Sequence, residues 1–109
     1  METTTAIAAL AALAQESRLA VFRLLVQTGP EGLAASKIAV ALGIPASSLS
    51  FHLKELSHAG LIAARQDGRF IIYAAQFETM NGLVAFLTEN CCGGKPCTPA
   101  GAPDCTPTT

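Results

Sequence analysis

The side chains best suited to chemistry sit together near the end of the chain, in Cys91-Cys92-Gly93-Gly94-Lys95-Pro96-Cys97. All four cysteines lie after residue 90, the last being Cys105. A secreted disulfide scaffold would spread its cysteines through the fold. A cluster in a tail points instead to a bound metal or metalloid, or to a redox switch. All-sulfur donors select soft, thiophilic ions. Neighbours on a regular helix point about 100° apart, so one ion takes both Cys91 and Cys92 only at a frayed helix end. The two glycines that follow permit this and let Cys97 fold back. Cys91, Cys92 and Cys97 then supply three thiolates, which suits a trigonal-pyramidal As(III) or Sb(III) centre. Structural zinc prefers four tetrahedral ligands, and Cys105 would have to reach across the looser segment 98–104. Lys95 favours thiolate formation beside it. A structural zinc site, a thiol–disulfide sensor and cysteines without a role are the competing readings.

An enzyme is the less economical reading. No cysteine is followed by an arginine, which removes the Cys-x5-Arg cradle of a thiol-dependent arsenate reductase. There is no Cys-x-x-Cys for an oxidoreductase and no Gly-rich phosphate loop. The chain is therefore read as a non-enzyme.

The second group of candidate residues lies on one stretch, from Gly43 to Gly60. Proline is tolerated before or within the first turn of a helix, so a helix begins at Pro45. Gly60 is placed to cap its end. Leu49, Leu53 and Leu56 recur at four- and three-residue steps and form one apolar stripe. Ser47, Ser48, Ser50, His52 and Lys54 supply hydroxyls, an imidazole and an amine with almost no acid, as a DNA groove requires. A solvated amphipathic helix would look similar in isolation, and the neighbours decide. Ser36 is placed to cap a short helix through Leu42, with Ile38 and Leu42 inward, and Gly43 ends it. Two helices joined by so short a turn make a helix-turn-helix. After Gly60 the period changes. Leu61 to Arg65 reads as a strand, Asp67-Gly68 as a hairpin turn, and Phe70 to Tyr73 as the return strand. Arg65 and Arg69 flank the turn, where cations suit phosphate or minor-groove contact.

The remaining elements must hold this unit. A first helix, with Thr3 to Thr5 as caps, runs to about Ala14 with Ile7, Leu10 and Leu13 as its stripe. A second runs from about Glu16 to Gln27, with Leu19, Phe22, Leu25 and Val26 inward and Arg18 and Arg23 outward. The last spans Phe77 to Asn90, with Met80, Leu83, Val84 and Leu87 on one side, widened by Phe77 and Phe86. That apolar width exceeds what a small domain needs, so a dimer interface with the first helix is inferred. The chain has 109 residues, half of them hydrophobic, and a net charge of −1. This is one domain rather than a polycationic coat, and a local basic face suffices for DNA. Residues 1–90 form the DNA-binding and dimerisation domain, and 91–109 a flexible tail that forms the metalloid site. The apolar run from Ala6 to Ala14 lacks a basic leader and is too short to span a bilayer, so no membrane role and a cytoplasmic location are expected. The expected architecture is mainly α with a β-hairpin wing: a homodimeric winged helix-turn-helix.

The element order, with Arg18-Leu19, Ser50-Phe51-His52-Leu53 and Asp67-Gly68-Arg69, resembles the ArsR/SmtB family of metalloregulatory repressors over about residues 6–90. The tail resembles arsenite-responsive members whose ligands follow the last helix. The resemblance implies a homodimer that binds a palindromic double-stranded operator and releases it on binding As(III). It carries DNA contact to Ser47, Ser48, Ser50, His52 and Lys54, and to Arg65 and Arg69 of the wing. A redox-responsive repressor on the same scaffold is the alternative. The family's best-known arsenic site, a Cys-x-Cys at the start of the third helix, reads Ala34 and Ser36 here. The last helix carries Glu78 and Glu89 but lacks the histidine of zinc-sensing relatives. The Asp-Pro that usually precedes the second helix reads Gln15-Glu16.

Overall fold

Alanine dominates the start of the chain, and alanine is what its first helix buries. α1 (Thr3–Leu13) turns Ala6, Ala9 and Ala12 to the core, while Ile7 and Leu10 are exposed. The stripe expected from Ile7, Leu10 and Leu13 is therefore corrected. Methyl-sized residues let α1 lie close on its neighbours α2 and α4, and bulky ones would hold it off. The three threonines do not cap it; Glu2 occupies the cap position without a side-chain bond. The computed structural model describes residues 1–94.

α2 (Glu16–Thr28) is capped by Gln15, whose Oε1 accepts the Arg18 backbone N–H at 2.9 Å. Val21, Phe22 and Leu25 are buried and Leu19 is exposed, contrary to expectation. Arg18 is half-buried rather than outward, and its Nε donates to the Ala12 carbonyl at 2.7 Å. That bond ties the end of α1 to the start of α2.

Past α2 the chain turns into a two-residue strand, β1 (Leu33–Ala34), that periodicity does not reveal. α3 (Ala35–Leu42) follows at once, so Ser36 lies inside its first turn instead of capping it. Ile38 is fully buried and Leu42 half-buried. α4 (Ala46–His58) starts after Pro45 and buries Leu49, Leu53 and Leu56, as their spacing predicts. Its end is a Schellman closure: Leu61 N–H donates to the Leu56 carbonyl and Gly60 N–H to that of Ser57. The closure needs a left-handed residue, and Gly60 takes φ 75°.

The wing is a hairpin of β2 (Ile62–Asp67) and β3 (Phe70–Ala75). Asp67 pairs with Phe70, so the two-residue loop is Gly68-Arg69, one position later than expected, and both strands are longer. β1 pairs antiparallel with β3, Leu33 against Tyr73 and Ala34 against Ile72, giving the sheet order β1-β3-β2. Gly32 makes this contact possible. It takes φ 69°, and a Cβ there would fall 2.4 Å from the Tyr73 carbonyl oxygen.

α5 (Phe77–Leu87) ends three residues before the expected Asn90. Only Leu83 is buried on it; Phe77, Met80 and Phe86 are half-buried. The core is completed by Leu25, Ile38, Leu49, Leu56 and Leu61, all fully buried. Each such leucine stabilises the fold by about 1.5–3 kcal/mol. α1 packs on α5, and together they leave Ile7, Leu10, Val84 and Leu87 exposed. Among the described residues no single helix is long and apolar enough to cross a membrane.

Candidate nucleic-acid interface and cysteine site

With its leucine stripe against the core, α4 turns a polar face outward. Ser47, Ser48, Ser50 and Lys54 are all exposed on it, together with His58 near its end. The sequence reading leaves Phe51 out of this face, yet its ring is 56 % exposed there. Position is the signal that could have found it. Phe51 lies four residues after Ser47 and three before Lys54, so the three share one side of the helix.

His52 is placed differently. It is half-buried, at the border of the leucine stripe, and its Nδ1 lies 3.5 Å from Nη1 of Arg18. Arg18 is itself held by the Ala12 carbonyl. The imidazole is thus braced by α2, with its ring edge-on to Phe51 at a centroid distance of 5.9 Å and an interplanar angle of 64°.

The two wing arginines also separate. Arg69 is in the hairpin loop and exposed. Arg65 folds its guanidinium back across the sheet. Its Nη2 donates to the Glu31 carbonyl at 2.7 Å and its Nη1 to that of Pro30 at 3.3 Å. It fixes the turn before β1 rather than reaching out from the tip. Between the start of α3 and the wing strand lies a groove of about 380 Å³, lined by Lys37, Ser36, Leu33, Phe70 and Ile72. Lys37 thus adds an exposed cation on α3 beside the wing strand.

The cysteines lie past the end of α5. Because that helix stops at Leu87, Cys91 and Cys92 are on a short 3₁₀ turn, Cys91–Gly94, and not on a regular helix. Asn90 and Cys92 both take φ 55°. The left-handed backbone removes the 100° divergence, and the two Sγ atoms approach to 3.8 Å. That is about twice an S–S bond length, so the two are not bonded to each other, although both stand as disulfide cysteines. Two sulfurs sharing one ion at about 2.3 Å, with angles between about 90° and 110°, would be about 3.3–3.8 Å apart. The spacing matches that of two donors of one centre, but in this structure both cysteines are disulfide-bonded. Cys97 and Cys105 lie outside the described residues. Among the described residues no three His, Cys, Asp or Glu side chains cluster as a metal site.

Comparison with known proteins agrees with this geometry. A family model described as a helix-turn-helix domain matches residues 13–65. The HTH-type transcriptional regulator YgaV of Escherichia coli K12 is 31% identical over 87 residues, covering 80% of this chain and 86% of the relative. Among solved structures, an ArsR-like transcriptional regulator from Rhodococcus sp. RHA1 superposes with a TM-score of 0.70 at 27% identity. It covers 77% of this chain and 76% of its own. A homodimeric winged helix-turn-helix DNA-binding domain from Mycobacterium bovis, described as a possible ArsR-family regulator, has a TM-score of 0.65 at 26% identity. The match covers 78% of this chain and 77% of that one.

Proposed function

Since this chain belongs to the ArsR family of winged-helix transcriptional regulators, we propose that it acts in the cytoplasm as a homodimeric, arsenic-responsive repressor. The proteins it matches are transcriptional regulators, and this chain is a regulator rather than an enzyme. The dimer binds a palindromic double-stranded operator and lets go when As(III) or Sb(III) is captured by Cys91, Cys92 and Cys97.

The observation that carries the output is the exposed face of α4, with Ser47, Ser48, Ser50 and Lys54, beside a wing tipped by Arg69. Exposed Ile7, Leu10, Val84 and Leu87 support a dimer through α1 and α5, and the Mycobacterium bovis domain is a homodimer. A two-fold arrangement sets the recognition helices about 34 Å apart, one turn of DNA. The input rests on the 3.8 Å approach of Cys91 and Cys92 directly after α5. A third thiolate from Cys97 completes an all-sulfur, thiophilic donor set. Cysteines so close to α5 adjoin the proposed interface. Reordering them on capture would shift that interface and the spacing of the recognition helices. Coupling of this kind is worth about 1–3 kcal/mol.

The test is a mobility shift of an operator duplex titrated with As(III), Sb(III), Zn(II) and peroxide. Cys→Ser at residue 91, 92 or 97 should preserve DNA binding and abolish release by As(III). Release by As(III) in all three variants would refute the assignment. The disulfide state of Cys91 and Cys92 favours a second reading, a thiol–disulfide regulator. In that case peroxide alone releases DNA and a disulfide is found by mass.

A further inference from the structure

We propose that Phe51 is a specificity-determining residue that reads the 5-methyl group of a thymine in the operator's major groove. The proposal rests on the DNA-binding reading of α4 and extends it to one base contact. Phe51 occupies the middle of the outward face, between Ser47 one turn before and Lys54 one turn after, on the side away from Leu49, Leu53 and Leu56. It is the one large apolar side chain among the exposed residues of this helix. Its neighbours are hydroxyls and an amine, which suit phosphates and the polar edges of bases. A ring left 56 % exposed at that point, with His52 against its edge, keeps apolar surface open to a ligand. On the edges of base pairs in the major groove, the apolar group available to it is the thymine methyl.

The ring is also held in position. His52 meets it edge-on at 5.9 Å, within the range of a favourable aromatic pair. His52 is braced in turn by Arg18, whose Nε is bonded to the Ala12 carbonyl. An aromatic ring oriented by α2 enters the groove with less freedom to lose than one on an unsupported side chain. His52 thus serves as a positioning residue for Phe51, on a helix border where it is only half-exposed.

The experiment is selection of binding sites from a randomised duplex library with the wild-type protein and with Phe51→Ala, followed by deoxyuridine replacement of each selected thymine in turn. Deoxyuridine removes the methyl group and leaves the protein untouched. Wild-type affinity should fall about four-fold at one thymine per half-site, the equivalent of one methylene-sized apolar contact. Phe51→Ala should bind the same duplex with its salt dependence intact, show no deoxyuridine effect at that step, and select sites with the thymine relaxed. Equal deoxyuridine effects in both proteins, or no effect in either, overturn the proposal while leaving DNA binding standing. Failure of the wild-type protein to enrich any sequence or to show salt-dependent binding refutes the DNA reading itself, and the Phe51 contact with it.

Discussion

Replacing Arg69 and Arg65 separately should split two residues that the sequence treats alike. In the structure Arg69 is at the exposed wing tip, whereas Arg65 spends its guanidinium on the carbonyls of Pro30 and Glu31. A side chain that neutralises one phosphate contributes about 0.9 to the slope of log affinity against log salt. A dimer with two wings therefore loses about 1.8 from that slope in Arg69→Ala. Between 50 and 200 mM salt, the wild-type protein should lose about twelve-fold more affinity than this variant. Arg65→Ala should behave otherwise. It removes two hydrogen bonds from a charged, exposed donor, worth about 1 kcal/mol of stability, and loosens the turn that leads into β1. Its salt slope should change by less than half as much as that of Arg69→Ala. Fluorescence anisotropy of a labelled operator duplex, titrated at four or more salt concentrations, gives both slopes. Equal flattening in the two variants, or an unchanged slope in Arg69→Ala, would refute the division of roles.

Gly32→Ala should cost several kcal/mol, since its Cβ would meet the Tyr73 carbonyl oxygen at 2.4 Å. Gly43→Ala, with a similar φ of 66° and nothing within 4 Å, should cost only about 1 kcal/mol. Urea midpoints at unchanged m-value compare the two, and equal shifts would contradict the close packing of β1 on β3. Val84→Glu with Leu87→Glu should leave helical content intact and shift the protein to monomer in sedimentation, with operator binding weakened; a persistent dimer would place the interface elsewhere. Arg18→Ala should lower stability by about 1–3 kcal/mol, because the carbonyl of buried Ala12 and the half-buried His52 both lose their cationic partner. A change within 0.5 kcal/mol in chemical denaturation would show that the brace is not structural.

The elements with long apolar periods were legible in the sequence. Leu49, Leu53 and Leu56 specify a buried stripe, Pro45 and Gly60 specify its limits, and the turn residues near Gly68 specify a hairpin, because each of these is a local preference of the backbone. The donor set proposed at Cys91, Cys92 and Cys97 rests on residue type and spacing alone. Other features required the folded chain. β1 has two residues and exists only through its pairing with β3. On α1, alanines and large residues recur at compatible helical spacing, and the closeness of α2 and α4 selects the alanines for burial. Arg18 and His52 are 34 positions apart in sequence and Arg65 and Glu31 likewise, so no local pattern encodes either contact. The stop of α5 at Leu87, which brings Cys91 and Cys92 together, also falls here. Sequence thus determined which side chains are available for the proposed reading of DNA and capture of a soft ion. Tertiary structure decided which of them face outward, because burial and hydrogen bonding depend on what lies across the fold.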